Sequence, residues 1–67
     1  MADMNALKDL LKTKGLTYTE TARLLGISYQ SLMNKLNGTF AFTLGEAFKL
    51  REILKMEWKE WRKIFNG

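Results

Sequence analysis

The residues best equipped for chemistry in this sequence are Gln30, Ser31, Asn34 and Lys35. On a helix each residue turns about 100° from the last, and at that pitch these four share one side while Leu32, Met33 and Leu36 share the other. The polar side offers two amides, a hydroxyl and a cation, with no carboxylate. An amide carries donors and an acceptor in one plane and can pair bidentately with an adenine edge; lysine favours guanine or phosphate. A carboxylate would repel a polyanion, so its absence leaves this face open to one. Tyr29, at the head of the same segment, is expected to pack its ring inward and reach outward with its hydroxyl. An ordinary solvated helix surface is the bland alternative, and only the flanking elements tilt the balance against it.

Those flanks are specific. Ser28 is a good N-cap for a helix from Tyr29 to Asn37. Before it stands Gly26-Ile27-Ser28, a three-residue turn, and before that a helix ending at Leu25. That helix opens on Thr17-Tyr18-Thr19-Glu20, a capping box in which the hydroxyl and the carboxylate satisfy free amides reciprocally. Ala22 is small where two helices would cross, Gly26 accepts the positive φ of a tight turn, and Ile27 and Leu32 are apolar where the turn meets a core. Helix, short turn and second helix have the spacing of a helix-turn-helix.

Three further segments frame this pair. The first runs from about Asp3 to Lys14, with Met4, Leu7, Leu10 and Leu11 on one stripe. A second capping box, Thr43-Leu44-Gly45-Glu46, opens a helix to about Leu54; Phe42 before it is placed to staple against Ala47. Its expected inner face is Leu44, Ala47, Phe48 and Leu54, with Arg51 at the centre, where it must snorkel out or find a carboxylate. A last segment, roughly Glu57 to Phe65, carries Trp58, Trp61, Ile64 and Phe65 but starts without a good cap. Gly15, Gly26 and Gly38 each follow a periodic segment, as left-handed helix ends do. No strand pattern is present, so the expected fold is all-α: about five short helices in one domain spanning 1–67.

Composition narrows the function classes. A chain of 67 residues has room for one small core. It has no cysteine and no histidine, which removes a disulfide framework, the commonest metal ligands and the usual nucleophile–base pairs. Its carboxylates are scattered and no phosphate-binding glycine loop occurs. We expect no enzyme, no cofactor, no metal and no small-molecule substrate. The opening MADMNALK lacks the apolar run of a signal peptide, and no stretch approaches the roughly 20 apolar residues of a membrane span. These readings place the chain in the cytoplasm. The net charge of +4 suits a polyanionic partner, but either side of Gly38 carries a net +2, so there is no basic tail.

The run Ala22-Arg-Leu-Leu-Gly26-Ile27-Ser28-Tyr-Gln30-Ser31-Leu32, followed by Lys35-Leu36-Asn37-Gly38, resembles the phage Cro and repressor family, the lambda-repressor-like helix-turn-helix domains. Phe42-Thr43-Leu44-Gly-Glu46-Ala47-Phe48 is similar to the fourth-helix opening of small Gram-positive phage regulators. The resemblance covers about residues 4 to 65. It implies a sequence-specific regulator of double-stranded DNA, a Cro-like repressor acting on a palindromic operator at the nucleoid of a bacterial host. It implies base contacts from Tyr29, Gln30, Ser31 and Asn34. It also implies phosphate contacts from Thr17, Tyr18, Thr19 and Ser28 on one side, and from Lys35, Asn37, Thr39, Phe42 and Thr43 on the other. Tyr18 stands where the family commonly has glutamine, Thr39-Phe40-Ala41-Phe42 is neutral where the loop is often basic, and Lys55 stands where glycine is frequent.

Trp58, Trp61 and Phe65 are more aromatic surface than one terminal helix of a small chain can easily hide. They are the expected contacts of a homodimer formed at least on DNA, Trp61 and Phe65 ahead of Trp58. The rival reading is a protein-interaction module on the same fold, an anti-repressor or antitoxin-like partner binder, for which Tyr18 and the neutral loop speak.

Overall fold

A computed structural model describes residues 3–65 of the chain. Met1, Ala2, Asn66 and Gly67, which complete the expected domain, lie outside the described residues. The five helices are α1 (Met4–Thr13), α2 (Tyr18–Leu25), α3 (Tyr29–Leu36), α4 (Leu44–Leu54) and α5 (Trp58–Phe65), and no strand occurs among the described residues. Each boundary falls within one residue of the sequence expectation.

Four helices start on a side chain that accepts a backbone N–H three residues ahead: Asp3 for α1, Thr17 for α2, Ser28 for α3 and Thr43 for α4. These bonds satisfy one of the free amides that every helix start leaves over. Four helices also end alike. Leu16, Ile27, Thr39 and Met56 each send their N–H five residues back, to Leu11, Ala22, Asn34 and Arg51. The residue before each of them has positive φ: Gly15, Gly26, Gly38 and Lys55.

One core runs through the molecule. Leu7 and Leu11 of α1, Ala22 and Leu25 of α2, Leu32 and Leu36 of α3, Leu50 and Leu54 of α4, Met56 and Ile64 are all buried. Thr21 is fully buried as well, and its hydroxyl is satisfied by donating to the Thr17 carbonyl at 2.8 Å. At the outer edge Asp3 N–H donates to the Ile64 carbonyl at 2.6 Å, which joins the start of α1 to α5.

The inner face of α4 differs from expectation. Ala47, Leu50 and Leu54 face the core, whereas Leu44 is 65% exposed and Phe48 40% exposed. Apolar residues lie nearly all round this helix, so spacing alone does not choose a side; packing on α2 and α5 does. Phe42 packs edge-to-face on Phe65, with centroids 5.9 Å apart.

Candidate nucleic-acid interface

The presentation of α3 follows from α2 and the turn. Gly26 ends α2 at φ 73°, ψ 28°, a left-handed conformation that costs an ordinary residue about 1–2 kcal/mol. The chain then reverses through Ile27, half-buried against the core, into Ser28, whose hydroxyl accepts Ser31 N–H at 3.0 Å. Leu32 and Leu36 turn inward, and the opposite face points away from the molecule.

Of the four expected base-contacting residues, Tyr29 and Gln30 are exposed and Ser31 and Asn34 half-buried. The Tyr29 ring does not pack inward; at 52% exposure it stands in solvent. Gln30 Nε2 donates to Asn34 Oδ1 at 3.1 Å, one helical turn away.

Lys35 is not on the outer face. Its ammonium lies 2.5 Å from Glu46 Oε1, with the two side chains 14% and 15% exposed, and 5.9 Å from the Phe42 ring centre. On the helical wheel it sits at the border of the polar face, and Glu46 of α4 draws it across. The same carboxylate oxygen accepts Thr43 N–H at 2.9 Å, while Thr43 Oγ1 accepts Glu46 N–H at 3.1 Å, a complete capping box. Burial pushes the Glu46 carboxyl up, but the bonds from Lys35 and Thr43 outweigh it and hold the group below its ordinary value of 4.5. Glu46 thus ties the end of α3 to the start of α4. From sequence it reads only as a local cap, since its partner lies eleven residues away in another helix.

The other residues expected at phosphates fall into two groups. Thr17, Thr19 and half-buried Tyr18 stand at the start of α2, and Thr43 with half-buried Phe42 at the start of α4. The Thr17 and Ser28 hydroxyls serve as caps, and Asn37 and Thr39 are exposed just beyond α3. At the start of α2 the expected capping box is only half formed. Thr17 Oγ1 accepts Glu20 N–H, but the Glu20 carboxylate turns to Arg23, at 2.6 Å, and that bond holds its carboxyl below the ordinary value.

On the far side of α4 the aromatics of α5 divide. Trp61 is half-buried, stacks on Phe48 with centroids 5.2 Å apart, and donates its indole N–H to the Ala47 carbonyl at 2.8 Å. Phe65 is half-buried between Phe42 and Trp61. Trp58 is 51% exposed and forms, with Leu44 and Phe48, an apolar surface. Of the three aromatics expected at a dimer contact, Trp58 is thus the exposed one and Trp61 and Phe65 are half-buried. Arg51 snorkels to that surface, its guanidinium carbon 3.7 Å from the Trp58 ring centre, while its buried Nε finds no hydrogen-bond partner among the described residues.

No helix of the described residues is long and apolar enough to cross a membrane, and no cluster of three acidic residues among them could hold a metal ion. No protein-family model, curated protein or solved structure matches the chain.

Proposed function

We propose that the chain is a sequence-specific double-stranded-DNA-binding regulator of the Cro-like repressor kind, working in a bacterial cytoplasm by occupying an operator. The observation that carries this reading is the outer face of α3: carboxylate-free, with Gln30 exposed, and projected by a turn closed at Gly26. In this reading α3 enters the major groove with Tyr29, Gln30 and Ser31 foremost and Asn34 one turn behind. The starts of α2 and α4, at Thr17 to Thr19 and Phe42 to Thr43, meet phosphates through their free amides. Lys35 supports this surface through Glu46.

A single domain with so few base-reading groups falls short of the roughly 10⁻⁸ M or better of specific regulators, whereas two copies on a palindrome reach it through high effective concentration. The dimer contact we assign is Leu44, Phe48 and Trp58. This patch is small beside the ~1,600 Å² of a standard interface, which suits pairing that forms on DNA. The two recognition helices would then lie about 34 Å apart.

The exposed patch also favours the second reading, a module that binds another protein. Salt separates the two. Binding to DNA releases counterions, so affinity falls steeply with rising salt, while an apolar protein contact does not weaken that way. The test is titration of the chain with operator-length duplexes drawn from a random pool, at several salt concentrations. A bound motif, a negative salt slope and a loss of about 1–3 kcal/mol on that motif for Gln30→Ala, with little change on random DNA, are expected. No binding to any duplex at low salt would remove the regulator reading.

A further inference from the structure

Asn37 and Gly38 close α3, and the pair carries a chemistry that DNA binding does not use. An asparagine followed by glycine can cyclise on itself. The glycine backbone nitrogen attacks the asparagine Cγ, the side-chain amide leaves as ammonia with that nitrogen's proton, and a five-membered imide remains. Water then opens the ring at either carbonyl and leaves aspartate or isoaspartate. The net change is asparagine and water to a carboxylic acid and ammonia, with nothing oxidised or reduced. Glycine favours the attack because no Cβ shields its nitrogen.

Three asparagines lie among the described residues. Asn5 and Asn34 sit inside helices, ahead of Ala6 and Lys35, and the helix pins their backbone. Asn37 is exposed just past the end of α3, and open space lies where a Cβ of Gly38 would stand.

The folded turn holds the reacting atoms apart. Cyclisation needs the Gly38 nitrogen to eclipse Asn37 Cβ across the Cα–C bond. At φ −87°, ψ −1° it eclipses the Asn37 nitrogen instead, about a third of a turn away. Gly38 N–H also donates to the Lys35 carbonyl at 3.2 Å, which retains the proton that must leave. Rotating the Asn37 ψ breaks that bond and those from Thr39 and Phe40 N–H to the Asn34 carbonyl, at 2.9 and 3.3 Å. Asn37, Gly38, Thr39 and Phe40 are all exposed, so the rotation uncovers no core. Openings of that kind are the least costly fluctuations of a native chain.

The product is a carboxylate at a helix C-terminus, where the dipole disfavours an anion. It stands among the residues expected at phosphates, and isoaspartate adds a backbone methylene just before the turn that leads to Thr43. We propose that Asn37–Gly38 is a self-modification site gated by opening of the last turn of α3, and that its conversion to aspartate and isoaspartate loosens the hold on DNA. The chemical step stands by itself; its effect on DNA rests on the DNA-binding reading above.

The test is incubation of the whole chain at neutral pH, folded and in urea, followed by peptide mapping. The peptide holding Asn37 is expected to gain about one dalton, slowly in the folded chain and faster in urea. Asn66–Gly67, the same dipeptide outside the described residues, falls in a separate peptide. Asn37→Gln, whose ring would need six members, keeps its mass at that position while Asn66 still reacts. Aged wild type and fresh Asn37→Asp, each shown by its melting curve to be folded, should bind duplex about tenfold more weakly than fresh wild type at low salt. Aged Asn37→Gln should bind as it did when fresh.

Conversion in urea with none in the folded chain overturns the site, and equal rates in both overturn the gate. If Asn37 converts while Asn37→Asp and the aged chain bind like fresh wild type, the effect on DNA falls. A fresh chain that binds no duplex overturns the DNA-binding reading and that effect with it, whereas the mass gain at Asn37 is read regardless.

Discussion

Helices α2 and α4 share the same local pattern at both ends, yet they are held differently. Each opens on Thr-x-x-Glu, and each closes on a left-handed residue followed by an N–H reaching five residues back. At the start of α4 Glu46 turns back onto Thr43 and also takes Lys35; at the start of α2 Glu20 abandons Thr17 for Arg23. The competing cation explains the difference. Arg23 lies one turn along the same helix, and its planar fork occupies both carboxylate oxygens. Lys35 approaches from another helix as a point charge and adds a bond without displacing the cap. At the far ends the difference is one Cβ: α2 closes on Gly26 at φ 73°, α4 on Lys55 at φ 53°. A four-residue motif therefore specifies a helix start, but the nearest cation decides whether that start is also a tertiary joint.

The largest effect is expected where that joint is cut. Glu46→Ala removes the box and leaves Lys35 unpaired in a mostly buried site, and it should cost about 2 kcal/mol, read as a lower urea midpoint. The same carboxylate titrates below 4.5 in the folded chain, so the unfolded chain takes up the proton first. Its contribution is complete above pH 4.5 and is lost as the pH falls through the lower folded value. Glu46→Gln should accordingly flatten the fall of melting temperature in acid.

Next in size is Gly26→Val. A β-branched residue is strained at positive φ, and the loss should exceed about 1 kcal/mol in the same unfolding assay. An unchanged melting temperature would show that the α2 turn does not need its glycine. The partner change, Lys55→Gly, runs the other way: relieving the left-handed lysine should raise stability by about 0.5–1 kcal/mol, net of the entropy that glycine adds to the unfolded chain. Smallest of all is Arg23→Ala. Its ion pair is at the surface, so stability should stay as it was. The freed Glu20 should then close the box on Thr17, seen as slower exchange of the Thr17 amide with solvent.

The local devices were legible in the sequence. Asp3, Thr17, Ser28 and Thr43 announce the helix starts, three glycines announce ends, and Lys55 stands out as the residue in a glycine's place. The exposure of Gln30 was legible too, because α3 has a clear apolar side in Leu32 and Leu36. What escaped was everything decided between helices. Leu50 rather than Leu44 faces inward because α4 is apolar on most sides and only α2 and α5 choose among them. Arg51 found no carboxylate but the face of Trp58, a partner that no periodicity in α4 can reveal. Lys35 left the polar face for a glutamate on another helix, and Glu20 left its box for an arginine whose pull depends on side-chain geometry.

The bond from Asp3 N–H to the Ile64 carbonyl has a kinetic meaning. It closes almost the whole chain into a ring, and the entropy of closing a loop grows with its length. The contact between α2 and α3 closes only a three-residue turn and is cheap to form early. On loop length alone, the central pair is expected to form first and the α1–α5 seam last. Interactions absent from the transition state govern unfolding rather than folding. The seam is therefore a clasp: its strength sets how long the fold stays shut, and hardly how fast it forms.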